Sequence, residues 1–347
     1  MRLSGVGTCN RLLLCLMLHT AISSTIQAGE PLQQPAAAPS QAQQGIVQFK
    51  ALADEKCAPR FRLRDHEFEY QLQPREIDST NFDLAEVTFP SPVKTPHERN
   101  NTVHCEFYRP KLEGRRPAVI VLHILGGDFA LARLFCHSLN QRGTAALFVK
   151  MPYYGPRREP GVARRMIAED PHETVEGMTQ AVLDIRRAAA FLSSREEIDH
   201  EQIGILGVSL GGITAALAAS AEPRIQNVCL LLAGGDFAKI AAESTEFKRQ
   251  REKFIAAGQD AAEFARIVRD VDPLTHAALL RGRNMLMINA KSDEVIPRAS
   301  TDSLWKAAGE PEIVWLSGGH YSVMRHLPTA LIRANRFFEA NDSNAEK

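Results

Sequence analysis

Three side chains that together could carry out nucleophilic catalysis follow one another along the sequence: Ser209, Asp293 and His320. A serine hydroxyl is a weak nucleophile at neutral pH, so it needs a base that takes its proton and an acid that orients the base. Each of the three residues comes shortly after an apolar run that is typical of a buried strand. Because parallel strands end at a common edge of their sheet, the pattern predicts that the three side chains meet there.

The serine lies in the segment LGVSLGG, residues 206–212, between a predicted strand and a run of small residues that follows it. A strand that turns directly into a helix forces one residue into a strained backbone conformation. Side chains two positions before and after that residue would collide, and Gly207 and Gly211 remove them. The spacing predicts a G-x-S-x-G turn with the hydroxyl of Ser209 at its tip.

Three carboxylates are candidates for the acid. Asp293 stands three residues beyond the predicted strand 284–290, and the residues Ala-Lys-Ser before it suit a turn. Asp236 also follows a predicted strand, and Glu294 is adjacent to Asp293. Asp293 is the preferred acid, since it alone has that small-residue approach, and the other two remain alternatives.

The base must come from eleven histidines. His320 follows the last predicted strand, 312–317, and the two glycines before it allow the loop to bend inwards. His326 is expected to lie already in a helix, and His276 precedes a strand instead of following one. With His320 as base, the chain order nucleophile, acid, base matches the order that accompanies the G-x-S-x-G turn. His320 is therefore the predicted base.

An acyl-transfer site also needs donors for the oxyanion. The backbone N–H of Leu210, directly after the serine, is one predicted donor. The second is expected from the segment HILGGD, residues 123–128, which follows a predicted strand and whose glycines allow the backbone to approach a ligand. The amide of Leu125 is the first choice and that of Ile124 the second. His123 is predicted to hold this loop.

The elements that must position these residues alternate between strand and helix after Pro117, which predicts a doubly wound, mostly parallel sheet with helices on both faces. From Phe61 to Pro110, alternating apolar and polar residues predict antiparallel strands that open the sheet. Residues 236–276 contain only helical patterns between two strands, and we expect them to form a small helical lid. Residues 48–347 are thus predicted to form one α/β domain. The predicted parallel strands are 118–123, 145–149, 203–206, 227–235, 284–290 and 312–317.

The N-terminal residues have the features of a secretory signal peptide. Two arginines precede and flank the short apolar run 12–18, and small residues near 21–28 suit cleavage. Residues 1–28 are therefore predicted to be a signal peptide of an exported protein, with an uncleaved anchor as the alternative. Residues 29–47 are rich in Gln, Ala and Pro and are predicted to be a disordered linker.

Composition narrows the choice of partners. The formal net charge is zero, so nothing global favours nucleic acid or an anionic membrane as a partner, and no stable membrane span is expected once the signal is removed. The cysteines have no metal-site spacing, and no metal or cofactor is expected. In an exported protein a disulfide between Cys57 and Cys105 is possible, but their spacing does not decide it.

Over roughly residues 85–340 the chain resembles the α/β-hydrolase superfamily. The resemblance rests on HILGGD, GVSLGG, the aspartate after NMLMINA and the GGH after EIVWLS. It implies a hydrolase that acts through Ser209, Asp293 and His320. The segment MPYYGPRR, residues 151–158, is similar to the PYYG-x-R stretch of the α/β-hydrolase-domain-containing-protein-18-like group.

The same segment follows a predicted strand, so it begins at the edge of the sheet where Ser209 is expected. Its tyrosines offer flat, partly polar surfaces, and its arginines could bind a carboxylate or phosphate. Alternatively, one arginine pairs with a local acid such as Glu159 and the tyrosines pack the loop. The predicted substrate contacts are Tyr153, Tyr154, Arg157 and Arg158.

These features favour an exported serine hydrolase, a carboxylesterase that cleaves a small-molecule ester through an acyl-enzyme on Ser209. A peptidase or lipase of the same fold is an alternative within the enzyme class. Outside it, the alternative is an exported binding protein that keeps the fold without catalysis. An intact serine–aspartate–histidine set argues against the binding protein.

Overall fold

Ten strands form a single mixed sheet in the order β1-β2-β3-β4-β6-β5-β7-β8-β9-β10. The computed structural model describes residues 42–256, 258 and 260–339. The strands are β1 Gln43–Phe49, β2 His66–Arg75, β3 Phe82–Pro90, β4 Thr102–Pro110, β5 Arg116–Leu122, β6 Ala145–Lys150, β7 Ile198–Val208, β8 Asn227–Leu231, β9 Asn284–Ala290 and β10 Glu312–Leu316. The first four are antiparallel to their neighbours, and β5 to β10 are parallel. The sequence predicted this arrangement for β2 to β10.

Helices cover both faces of this sheet. They are α1 Ala130–Asn140, α2 Pro171–Ser193, α3 Leu210–Ala221, α4 Phe237–Glu243, α5 Lys248–Ala256, α6 Ala261–Val268, α7 Pro273–His276, α8 Arg298–Ala307 and α9 Leu327–Phe338. Alternate residues of β5 belong to two separate apolar cores: Ile120 packs with α2 and α3, whereas Val119 packs with α1 and α9. A strand that is buried on both faces needs a continuous apolar sequence, and β5 has one. The doubly wound α/β fold is therefore confirmed.

The first strand corrects the predicted linker. The composition predicts disorder for residues 43–47, but they belong to β1, which pairs antiparallel with β2 and places Val47 opposite Phe68. Val47 and Phe49 are fully buried there. Their alternation with polar residues is typical of an edge strand, but the surrounding Gln-rich composition obscured it. The predicted signal peptide, 1–28, and residues 29–41 of the linker lie outside the described residues.

The long segment between β8 and β9 is helical, as predicted, and holds α4 to α7. Its first part contacts the loops that follow β9 and β10. The backbone N–H and the hydroxyl of Thr245 both donate to the carbonyl of Glu294 at 3.0 Å. The hydroxyl of Tyr321 donates to the Glu246 carboxylate at 2.6 Å. In the described part of the chain, no helix combines the length and apolar character that crossing a bilayer requires.

Candidate active site

Ser209 occupies the junction between β7 and α3. Its backbone has φ 55° and ψ −116°, a conformation that residues with a Cβ adopt rarely. The N–H of Ser209 donates to the carbonyl of Leu231 on the adjacent strand β8 at 2.8 Å. The serine is thus held by the sheet in a strained turn at the carboxyl end of the strand.

The glycines around the serine are required by close backbone contacts. A Cβ on Gly207 would lie 2.1 Å from the carbonyl oxygen of Gly211. A Cβ on Gly211 would lie 2.7 Å from the carbonyl oxygens of both Leu122 and His123. Neither overlap can be relieved by a side-chain movement, since the atoms are backbone. The steric reason predicted for these two glycines is confirmed.

The structure brings the three predicted catalytic side chains into one hydrogen-bonded chain. The hydroxyl of Ser209 lies 2.9 Å from Nε2 of His320. Nδ1 of His320 lies 2.9 Å from Oδ2 and 3.0 Å from Oδ1 of Asp293. With Nδ1–H donating to the carboxylate, Nε2 is free to accept the serine proton. The side chains of His320 and Asp293 are only 7% and 3% exposed, so water competes little for these bonds.

Two backbone amides fix the orientation of the acid. The N–H groups of Val295 and Ile296 both donate to Oδ1 of Asp293, at 2.9 and 2.7 Å. Two donors on the same carboxylate oxygen restrict the rotation of the side chain. The segment after β9 therefore holds the carboxylate of Asp293 in the orientation that meets His320.

The alternative acids have other partners. Glu294 accepts the backbone N–H of His320 at 2.9 Å, so it supports the histidine through its main chain. A Cβ on Gly319 would lie 2.1 Å from that carboxylate, so the glycine before the histidine is needed for this approach. Asp236 accepts the N–H of Lys239 and caps α4.

The other candidate histidines are also engaged elsewhere. Nε2 of His326 lies 2.9 Å from the hydroxyl of Ser317, and Nε2 of His276 lies 3.0 Å from the carbonyl of Asp270. Sequence reasoning missed Tyr321, whose ring stands edge-on to His320 with a centroid separation of 5.4 Å. Its position directly after the predicted base was the only signal that could have indicated it.

The two predicted oxyanion donors lie on neighbouring segments. Leu210 is the first residue of α3, and the N–H groups of a helix's first turn have no partner within the helix. The segment 123–128, which holds Leu125, passes beside this turn, since the carbonyl of His123 is in contact range of Gly211. The first turn of α3 and residues 123–128, which we call the oxyanion loop, therefore lie next to each other.

His123 ties the oxyanion loop to the next strand. Its Nε2 accepts the backbone N–H of Met151 at 3.1 Å, and its Nδ1 donates to the carbonyl of Ile124 at 2.8 Å. An amide donor on Nε2 requires that nitrogen to be unprotonated, so the ring is neutral. Burial lowers the pKa of His123 to about 4, helped by the charges of Arg157 and Lys150. The predicted structural role of His123 agrees with these contacts.

The prediction of Arg157 as a substrate contact is wrong. Its side chain is fully buried and forms an ion pair with Asp184 at 2.8 Å. The guanidinium also donates to the backbone carbonyls of Lys150 and Asn100, at 3.1 and 2.7 Å. The alternative prediction of a structural arginine was closer, but its partner is Asp184 on α2 and not the nearby Glu159.

The side chain of Tyr153 is also buried in contacts with other residues of the protein. The residue is 7% exposed, and its ring stands edge-on to His97 and lies under the guanidinium of Arg164 at 4.6 Å. Its predicted role in substrate binding is therefore corrected to packing. Tyr154 packs against His123 and is half-buried. Arg158 is exposed, so of the two arginines it alone keeps the predicted accessibility.

All four cysteines among the described residues are free thiols. Cys57, Cys105, Cys136 and Cys229 are all buried, so the disulfide left open by the sequence is not formed between Cys57 and Cys105. Burial raises the pKa of the Cys57 thiol to about 11 and that of Cys105 to about 12. Such thiols are poor nucleophiles. Among the described residues there is no group of three or more His, Cys, Asp or Glu side chains that could hold a metal ion.

Comparisons with solved structures identify the fold independently. An acetyl xylan esterase from Paenibacillus sp. R4 is 20% identical with a TM-score of 0.64, over 77% of this chain and 88% of that one. Acetyl xylan esterase 1 from Thermoanaerobacterium sp. JW/SL YS485 is 16% identical with a TM-score of 0.63, over 78% and 88% of the two chains.

Sequence comparison with curated proteins finds relatives that match part of the chain. Two uncharacterized proteins, from two strains of Mycobacterium tuberculosis, are 30% identical over 194 residues, which is 54% of this chain and 45% of each relative. A probable 2-oxo-3-(5-oxofuran-2-ylidene)propanoate lactonase from Bradyrhizobium sp. is 29% identical over 111 residues, 32% of this chain and 44% of that one. The chain thus spans less than half the length of the curated relatives that it matches.

Two family models match the sequence. The model of the BAAT / acyl-CoA thioester hydrolase C terminal matches residues 185–336. The model of the alpha/beta hydrolase domain containing 18 family matches residues 42–239, more than half of the chain, and includes both the tyrosine-rich segment and the serine turn. The chain therefore belongs to the alpha/beta hydrolase domain containing 18 family.

Proposed function

We propose that the protein is a serine hydrolase that cleaves a carboxylic ester through an acyl-enzyme on Ser209. The observation that carries this proposal is the hydrogen-bonded chain from the Ser209 hydroxyl through His320 to Asp293, at 2.9 Å for each link. A strained turn, an oriented imidazole and a carboxylate held by two amides are the parts that activate a serine.

In the proposed reaction, Nε2 of His320 takes the proton of Ser209 as Oγ attacks the substrate carbonyl. Asp293 stabilises the imidazolium that forms. The amides of Leu210 and Leu125 donate to the oxyanion, and each such donor contributes about 3 kcal/mol to transition-state stabilisation. His320 then protonates the leaving alcohol, and water releases the acid by the same route.

The comparisons support the ester class in general terms only. Acetyl xylan esterases share the fold, and the lactonase relative acts, by its name, on a cyclic ester. The match to the acyl-CoA thioester hydrolase model favours a thioester as the second candidate substrate. A peptidase or lipase would use the same chemistry, and no feature of the described residues favours either over a small ester.

The helical segment between β8 and β9 is a further part of this proposal. Thr245 and Glu246 bond to residues that adjoin Asp293 and His320. We therefore propose that this segment acts as a lid that shapes the acyl side of the site. Replacing residues 240–268 by a short linker is expected to change chain-length preference more than stability, measured on p-nitrophenyl esters from acetate to octanoate. An unchanged preference would mean that these helices only cover the surface.

The direct test of the mechanism is substitution of each member of the chain. Ser209→Ala is expected to lower kcat/KM for p-nitrophenyl acetate by at least about 10⁴-fold, and His320→Ala and Asp293→Asn by several orders of magnitude. The melting temperature should stay within a few degrees, since the substitutions leave the backbone contacts of the turn intact. Thioester hydrolysis, followed with acetyl-CoA, should fall in parallel. A Ser209→Ala protein with wild-type rates would contradict the proposal.

We also propose, from the sequence of the N-terminal residues alone, that the protein is exported and loses its signal peptide. Mass spectrometry of the native protein is expected to find a first residue between about 24 and 30. Intact Met1 in the exported protein would contradict cleavage.

A further inference from the structure

We propose that Tyr154 is a positioning residue that sets the conformation of the oxyanion loop. This inference rests on the proposed function, since it assigns an oxyanion donor to Leu125. It gives a role to the tyrosine loop, residues 151–158, which the chemistry of the catalytic chain does not use.

Tyr154 packs directly on the backbone of the oxyanion loop. A Cβ on Gly127 would lie 2.9 Å from Cδ1 of Tyr154, so the ring is in contact with the main chain at that glycine. Gly127 and Gly126 have φ of 76° and 92°, in the region that favours glycine. The side chain thus contacts the second of the two glycines that follow Leu125.

The same ring packs on the histidine that begins the oxyanion loop. The rings of Tyr154 and His123 meet edge to face, with centroids 4.6 Å apart. His123 in turn accepts the N–H of Met151, the first residue of the tyrosine loop. The tyrosine loop therefore holds the oxyanion loop on both sides of Leu125, through His123 before it and through Gly127 after it.

The tyrosine loop is itself anchored in the core. The buried ion pair between Arg157 and Asp184 fixes its C-terminal end to α2. The side-chain oxygen of Asn100 accepts the backbone N–H of Tyr153 at 2.9 Å. The backbone carbonyl of Asn100 accepts a hydrogen bond from the guanidinium of Arg157 at 2.7 Å. A Cβ on Gly155, whose φ is 53°, would lie 2.7 Å from the ring of Phe129. Because the contacts of Arg157 with Asp184 and of Asn100 with this loop are buried, the position of the Tyr154 ring is set by the fold and not by the substrate.

A shift of the oxyanion loop would act on the transition state more than on substrate binding. The amide of Leu125 is aimed, in the proposed mechanism, at an oxygen that carries charge only after the serine has attacked. An interaction that strengthens only in the transition state lowers kcat when it is lost, and leaves KM nearly unchanged. Tyr154 is expected to produce this signature although it does not touch the reacting atoms.

The experiment compares a graded pair of variants with a matched control one residue away. Tyr154→Leu is expected to lower kcat for p-nitrophenyl acetate about 30-fold, and Tyr154→Phe, which keeps the ring, to restore it to within about fivefold of wild type. KM should stay within about twofold for both. The inhibition constant of a phenylboronic acid, which forms a tetrahedral adduct with the serine, should rise in parallel with the loss of kcat. Tyr153→Phe, which removes the hydroxyl of the adjacent buried tyrosine, should leave all three quantities unchanged.

The outcomes separate this inference from the proposed function. Wild-type protein that neither hydrolyses esters nor reacts with a fluorophosphonate would refute the proposed function, and the inference with it. If wild type is active, a Tyr154→Leu protein with unchanged kcat and boronate affinity would overturn the positioning role alone. Equal losses in kcat and boronate affinity for Tyr153→Phe and Tyr154→Phe, with lower melting temperatures, would also overturn it, because they would show a general effect of loop packing.

Discussion

The serine turn and the tyrosine loop follow strands β7 and β6, which flank β5 in the same sheet, yet they are held in different ways. The conformation of the serine turn depends first on a contact between residues close in sequence, Gly207 and Gly211, and the neighbouring strands β5 and β8 then hold the turn in place. The tyrosine loop is held by partners far along the chain, including Asn100 and His123. The conformation of a turn that depends on local sterics can be predicted from the seven residues 206–212, whereas the conformation of a loop that depends on distant partners cannot be predicted from its own residues.

The largest effect is expected from breaking the local contact. Gly207→Ala places a methyl group 2.1 Å from the carbonyl oxygen of Gly211, so the turn cannot close and the serine is displaced. We expect kcat/KM for p-nitrophenyl acetate to fall about 10⁴-fold. The matched control is Gly282→Ala, at an exposed turn with φ of 84° and no atom within 4 Å of the new methyl group. A fully active Gly207→Ala protein would show that the turn is not sterically determined.

The next largest effect is expected from the anchor of the tyrosine loop. Arg157→Ala leaves Asp184 buried without its charge partner, and loss of one member of a buried pair costs about 3–5 kcal/mol in the free energy of unfolding. The adjacent, exposed Arg158→Ala should change this free energy by less than about 0.5 kcal/mol. Urea denaturation at neutral pH measures both. Similar small changes in the two variants would mean that the ion pair does not anchor the loop.

A pH-dependent effect of about 3 kcal/mol is expected from the histidine that joins the two loops. Burial lowers the pKa of His123 in the folded protein to about 4, below its ordinary value of 6.5. As pH falls through 6.5, the unfolded state takes up the proton first, so the stabilisation present above that pH is lost progressively down to about pH 4. His123→Gln should remove this part of the pH dependence.

The measurement is the free energy of unfolding at pH 7 and pH 4.5 for both proteins. Burial also lowers the pKa values of His104 and His137, so a common background slope remains in the variant. The difference between the wild-type and variant slopes isolates His123. Identical slopes would mean that His123 is protonated as easily in the folded protein as in the unfolded chain.

The smallest effect is expected at Arg158, the accessible arginine of the tyrosine loop. If it attracts anionic substrates across solvent, Arg158→Ala should raise KM for a negatively charged ester by about threefold and leave a neutral ester unchanged. Raising the salt concentration should remove the difference between the two esters. Equal KM changes for both substrates would exclude an electrostatic role.

The sequence predicted the parts of the molecule that depend on local pattern. Continuous apolar runs identified the parallel strands, and the glycines around Ser209 identified the turn. It failed at Arg157, because an arginine beside a predicted site suggests a ligand unless its partner is known, and Asp184 is one of many acidic residues on predicted helices. It failed at residues 43–47, because whether Val47 is buried depends on its partner strand β2 and not on local composition.

The central claim, that Ser209 is an activated nucleophile, is tested most directly by covalent labelling. Wild-type protein treated with a fluorophosphonate is expected to incorporate one label per chain, and peptide mass spectrometry should locate it on Ser209. Ser209→Ala should incorporate none, and His320→Ala should react far more slowly, because the hydroxyl then lacks the base that lies 2.9 Å away. A label on another residue, or equal labelling of wild type and Ser209→Ala, would contradict the account.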